Sequence, residues 1–245
     1  MDDVRCSIAH RYPMITILFG PPCVGKGTIA RELCSDPSYV LIPTGEIIRA
    51  IQGKPSTIDL SIHPRGAELK AAWREDFDHI MRTGGYLPDD AIIHLVELYK
   101  AGFPAHSKFV YDGFPRNLKQ AIVLDVSLRN MGQDPKDVQV VALDAPEAKL
   151  LERNQLRRLT EQREDDDPAI FAERLATYRQ KAPDLVDYYR GSGRLLEIDA
   201  SGPVEETVAR IRSEIAPSYA IALPLLKLST DTPTRRDIRA ITPPR

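Results

Sequence analysis

The chain has 245 residues, enough for one large domain or two small ones. Lysine plus arginine number 33 and aspartate plus glutamate 35, a formal charge of −2, which excludes a general nucleic-acid coat and a polybasic membrane anchor. Hydrophobic residues make up 42% and charged residues 28%, the proportions of a soluble globular protein with a full core.

Residues 1–11 are charged early and hold no apolar stretch, unlike a secretory signal. Residues 14–19 (MITILF) predict a buried strand running into Gly20 and a glycine-containing turn. A helix continues through 29–34, and 40–42 predict a second short strand. A helix over 45–51 follows, with Thr44 as its N-cap. Residues 53–64, with Gly53, Pro55 and Pro64, read as a loop. The pattern predicts a helix over 68–81, ended by Gly84 and Gly85, and another over 89–99, with Pro88 and Asp89 as start signals. Residues 108–111 form a strand ending in Asp112 and Gly113, and 116–130 a helix. The near-continuous apolar run 138–143 predicts a strand buried on both faces. Helices over 147–159 and 170–190, a strand over 195–198 and a helix over 204–215 complete the series. Five short strands alternating with helices predict an α/β fold, a doubly wound parallel sheet with right-handed connections.

After Ile215 the composition shifts. Pro217, Pro224, Pro233, Pro243 and Pro244 break the periodicity, and the segment reads as a tail. Within it, residues 219–228 are apolar enough to pack on the body or on a second subunit. The cysteines, Cys6, Cys23 and Cys34, make no disulfide framework and point to a reducing, cytoplasmic setting. No apolar run approaches the length of a membrane span. The five histidines show no metal or triad spacing.

The strongest signal is Gly20-Pro21-Pro22-Cys23-Val24-Gly25-Lys26-Gly27-Thr28, between a predicted strand and a predicted helix. Glycines let successive backbone N–H groups curl around one anion, and the helix N-terminus adds partial positive charge. Lys26 reaches the β- and γ-phosphates, and the Thr28 hydroxyl on the first turn ligates Mg²⁺. Arg153 and Arg157, spaced i, i+4, share one helix face. Arg163 lies in the short segment that follows, and Arg174 on the next helix. Arginine suits phosphate, because it stays charged and binds it with two parallel hydrogen bonds. Asp112 ends a strand, where a carboxylate can hold a Mg²⁺-bound water.

The Gly-Lys-Gly-Thr ending resembles the adenylate kinase family of nucleoside monophosphate kinases. The likeness runs from Met14 to about Ile215, through Thr44-Gly45-Glu46-Ile47-Ile48-Arg49, through Asp112-Gly113-Phe114-Pro115-Arg116 with Gln120, and through the four arginines beside Asp165 and Asp166. It implies a phosphate-loop kinase domain over 1–215, with a monophosphate-binding region over 44–88, a short lid over 157–168 and a tail over 216–245. It implies that Gly20, Pro22, Cys23, Val24, Gly25, Lys26, Gly27, Thr28, Arg153 and Arg157 bind ATP. Thr44, Gly45, Arg49, Gly113, Arg116, Gln120, Arg163 and Arg174 would bind AMP. Lys26, Arg116 and the arginines at 153, 157, 163 and 174 would be catalytic. Mg²⁺ would sit at Thr28 and Asp112, the latter through water.

The implied reaction is reversible transfer of the ATP γ-phosphoryl group to AMP, giving two ADP. It needs no base, because the acceptor phosphate is already ionised near neutrality. The implied partners are ATP and a nucleoside monophosphate, with no nucleic acid and no membrane, and a monomer is expected unless the tail makes an oligomer. Thr44 and Gln120 favour AMP, whereas Asn117 leaves a UMP or CMP kinase open. Cys23 stands where the family has glycine, which narrows the loop's backbone freedom. Its electropositive surroundings are expected to lower the thiol pKa and make it modifiable. With the long 53–64 stretch and the tail, it also leaves a non-catalytic nucleotide-binding module open.

Overall fold

A computed structural model describes residues 15–73, 77, 79–80, 87–104, 107–161 and 166–215. Strand β1 (Ile15–Phe19) is buried at all five positions. It lies at the centre of a five-stranded sheet with β2 (Tyr39–Pro43), β3 (Lys108–Asp112), β4 (Val138–Asp144) and β5 (Leu195–Asp199). The spatial order is β2-β3-β1-β4-β5, and every pairing is parallel. The doubly wound α/β fold read from the alternating pattern is therefore present.

Side-chain alternation along the strands sends residues to two separate cores. Ile15, Ile17, Phe19, Tyr111 and Val140 face a core completed by α4 (Asp89–Lys100), α5 (Leu118–Asn130) and the C-terminal half of α7 (Pro168–Gly191). Leu18, Val110 and Val141 face the other core, with α1 (Lys26–Leu33), α6 (Glu147–Glu161) and α8 (Val204–Ile215). Each fully buried Ile, Leu or Phe contributes about 1.5–3 kcal/mol. This two-sided burial puts the carboxyl ends of β1, β3 and β4 along one edge, where ligands bind in open α/β sheets.

Three local expectations change. Thr44 does not cap α2 (Thr44–Ile51) but is its first residue, and Pro43 stands at the N-cap. Its hydroxyl instead donates to the Asp112 carbonyl at 2.8 Å, because β2 and β3 are neighbours. The helix expected from residue 116 begins at Leu118. Asn117 is extended and its side chain accepts the Gln120 backbone N–H, a true N-cap. The helix expected over 68–81 is broken: α3 (Gly66–Ala71) ends where Trp73 N–H bonds back to the Lys70 carbonyl, a tightened last turn. Phe77, His79 and Ile80 are helical again.

The loop over 53–64 is present as a loop, held at both ends. Glu46 accepts from the Ser56 hydroxyl and the Thr57 N–H, each at 3.0 Å. His63 stacks on Tyr99 at 4.4 Å between centroids and bonds the Tyr99 carbonyl at 3.0 Å. The tail beyond Ile215, including 219–228, lies outside the described residues. Among the described residues no helix is long and apolar enough to cross a membrane.

Candidate active site

The turn from β1 to α1 is held against β4 by a close backbone approach. A Cβ on Gly20 would lie 2.5 Å from the Leu143 carbonyl oxygen, so only glycine fits there. Lys26 opens α1, and its ammonium donates to the carbonyls of Gly20 at 2.8 Å and Pro21 at 2.7 Å. Burial lowers its pKa to about 7. Arg116 and Arg174 push the same way, and Asp112 opposes them. Lys26, Arg116 and Arg174 line one cavity of about 60 Å³ with Pro22, Gly113 and Tyr178. Three basic side chains, from α1, from the segment after β3 and from α7, thus line the mouth of the turn, an arrangement that favours a polyanion.

Thr28 is exposed on the first turn of α1. Asp112 lies beside that turn, since a Cβ on Gly27 would sit 3.3 Å from its Oδ2. A hydroxyl and a carboxylate are hard oxygen donors that suit Mg²⁺ completed by phosphate and water. Among the described residues no cluster of three or more His, Cys, Asp or Glu could hold a metal by itself.

Helix α6 grips the turn from the side. Arg153 donates to the Val24 carbonyl at 3.0 Å and to the Ala200 carbonyl at 2.8 Å. Arg157 pairs through two nitrogens with the carboxylate of Asp166, which is fully buried. Between them lies Asn154, which the sequence reading missed. Its Oδ1 accepts the Cys23 thiol at 3.4 Å, and its Nδ2 donates to the Asp166 carbonyl at 3.1 Å. A polar residue facing inward on an otherwise amphipathic helix was the available signal. Arg163 and Asp165 lie outside the described residues.

Cys23 corrects one expectation. Burial pushes its thiol pKa up, and the opposing pull of Arg157 does not reverse this. Loss of solvation outweighs the positive surroundings. Its backbone φ is +63°, in the left-handed region that glycine occupies without strain.

On the opposite side, Gly113 has φ +88°, and a Cβ there would lie 2.6 Å from Thr44 Oγ1. This close packing brings Thr44, Gly113 and Arg116 together. Arg116 donates through Nε to the Gly113 carbonyl at 2.6 Å. Gln120 is buried, and its Oε1 accepts the Arg116 backbone N–H at 2.7 Å. Arg49, near Gly45 on α2, pairs with Glu46. Burial works to raise the Glu46 pKa, but the Thr57 N–H and the Arg49 guanidinium outweigh it and hold it low. Arg49 is thereby tied to the 53–64 loop rather than placed in the cavity lining.

The family model described as adenylate kinase matches residues 18–194. The adenylate kinase of Caulobacter vibrioides is 35% identical over 207 residues, covering 84% of this chain and 100% of that protein. That of Hyphomonas neptunium is 35% identical over 208 residues, 84% of this chain and 100% of its own length. That of Thermus thermophilus is 33% identical over 199 residues, 81% of this chain and 95% of its own length. A match across most of the chain, spanning both the phosphate turn and the Asp112–Arg116 segment that meets it in space, leaves one assignment: the chain belongs to the adenylate kinase family.

Proposed function

We propose that the chain transfers the γ-phosphoryl group of ATP to AMP, reversibly, giving two ADP. The observation that carries this is the convergence of Lys26, Arg116 and Arg174 on one cavity at the phosphate turn. Two nucleotides meeting end to end bring their phosphates into such a place, and fixed cations there lower the barrier by neutralising spreading charge. The relatives of Caulobacter vibrioides and Thermus thermophilus are named adenylate kinase, which supports adenylate as the acceptor.

In this reading residues 20–28 and Arg153 hold ATP. Lys26 turns from the Gly20 and Pro21 carbonyls to the phosphates. Arg153 fixes the turn through Val24 and keeps its guanidinium face for the adenine. Arg116 holds the acceptor phosphate, joined by Arg49 as it turns from Glu46, with Thr44 and Gln120 at the acceptor base. Arg157, Arg163 and Arg174 stabilise the group in flight. Thr28 and Asp112 hold Mg²⁺, which supplies charge neutralisation on the phosphate oxygens. Residues 44–88 serve as the monophosphate-binding region and 157–168 as a short lid, within a kinase domain that extends to residue 215.

Asn117, the residue that left a pyrimidine acceptor open, has both ends of its amide engaged. Its oxygen accepts the Gln120 N–H, and its nitrogen donates to Asp89 at 2.7 Å. That supports AMP as acceptor. The test is ADP formation from MgATP with AMP, CMP, UMP and GMP in turn. Turnover is fastest with AMP, and Lys26→Met lowers kcat/KM by at least about 100-fold, the scale of one preorganised charge. Equal or faster turnover with CMP or UMP refutes the acceptor assignment. ATP binding without turnover on any acceptor refutes the catalytic one.

A further inference from the structure

We propose that Asp89 determines which nucleobase edge the acceptor site admits, by fixing the sense of the Gln120 amide. The proposal rests on the reading above that Gln120 meets the acceptor base.

Gln120 Nε2 donates to Asp89 Oδ1 at 2.8 Å, while Gln120 Oε1 accepts the Arg116 backbone N–H at 2.7 Å. A glutamine amide has a donor end and an acceptor end, and turning it over exchanges them. Here the turned form would set NH₂ against the Arg116 N–H and oxygen against a carboxylate. Both contacts would be repulsive, and the side chain is buried, so water cannot repair them. Asn117 holds the same Asp89 oxygen at 2.7 Å, and Lys119 lies 3.5 Å from the other one. Burial works to raise the Asp89 pKa, but the Asn117 and Gln120 amides outweigh it, so the carboxylate stays an acceptor.

One N–H and one lone pair of the Gln120 amide remain for a ligand. In the fixed sense they match an edge with an acceptor beside an amino donor, as adenine has at N1 and N6. Hypoxanthine has the same size but the reverse order, N1–H beside O6. A free amide turns over to suit either base, whereas a locked one suits adenine alone of the two. Cytosine shares adenine's order, so the lock separates AMP from IMP, GMP and UMP but not from CMP.

The test compares kcat/KM for AMP and IMP. The unmodified enzyme favours AMP by about 100-fold or more, the scale of one well-placed pair of base hydrogen bonds. Asp89→Ala cuts that ratio at least about tenfold, with KM for AMP rising and KM for IMP falling. Asp89→Asn keeps an oxygen for both N–H groups and holds the ratio. A fall in activity shared equally by both nucleotides in Asp89→Ala overturns the proposal. Gln120→Leu separates the two levels of the argument. If it leaves the ratio unchanged, Gln120 does not meet the base, and the acceptor-site reading fails with the proposal. If it collapses the ratio while Asp89→Ala preserves it, the acceptor site stands and the lock is overturned. Should Asp89→Ala not fold, NMR of the unmodified protein decides. The Gln120 amide proton donated to Asp89, assigned by its loss in Gln120→Leu, exchanges slowly with water. An amide exchanging as fast as that of an exposed glutamine overturns the lock.

Discussion

ATP binding to this protein should take up a proton at Lys26, and the size of that uptake follows from the structure. In the free protein burial, with Arg116 and Arg174 beside it, holds the ammonium pKa at about 7. The phosphates of ATP add negative charge in the same cavity, so the pKa rises toward the ordinary lysine value of about 10.4. At pH 8 a group of pKa about 7 is about 90% deprotonated, so binding takes up about 0.9 proton; at pH 6 it takes up about 0.1. Protonating Lys26 at pH 8 costs about 1.4 kcal/mol, so affinity from this source is about tenfold weaker at pH 8 than at pH 6. The sign is set by the direction of the shift. A lysine held neutral in the free protein loses affinity for an anion as pH rises through its depressed pKa. Working at pH 8 removes the phosphate itself as a source of released protons, since its second pKa is about 6 and it is already ionised. The assay is titration calorimetry with ATP in buffers of different ionisation enthalpy. Lys26→Arg stays charged throughout, so it binds ATP with no uptake. Zero uptake in the unmodified protein at pH 8, or the same uptake in Lys26→Arg, refutes the reasoning.

Two further outcomes concern stability. At Cys23, φ +63° costs a non-glycine residue about 1–2 kcal/mol, and the thiol's hydrogen bond to Asn154 offsets part of it. Cys23→Ala keeps the strain and loses the bond, whereas Cys23→Gly loses both, so thermal denaturation should find the alanine variant about 1 kcal/mol less stable than the glycine variant. An alanine variant more stable than the glycine variant contradicts this account. Far from the turn, Arg194 and Asp125 form a buried pair at 2.6 Å that also takes the Tyr188 hydroxyl. Asp125→Ala leaves the guanidinium buried without its counter-charge and should cost about 3–5 kcal/mol in denaturant titration. The KM for ATP should not change in the same variant. A loss below about 1 kcal/mol shows that water or another group replaces the carboxylate.

Much of this molecule could be read along the chain, because periodicity and turn chemistry are local. The apolar runs at 14–19 and 138–143 pointed to β1 and β4, since a strand buried on both faces must be apolar at nearly every position. The Gly20–Thr28 segment marked the phosphate turn because its residue types are dictated by backbone curvature and by the anion it suits. The chain order of Thr44, Asp112–Arg116 and the α6 arginines identified the family. Tertiary packing decided the rest. It turned the Thr44 hydroxyl from a helix cap to the Asp112 carbonyl, because β2 and β3 lie side by side. It joined Cys23 to Asn154 across 131 positions and Gln120 to Asp89 across 31, separations that no local pattern encodes. It also reversed the expected direction of the Cys23 pKa. Residue types tell which charges stand near a thiol, but how much water is removed from it depends on which helices close over it, and at Cys23 that loss prevails.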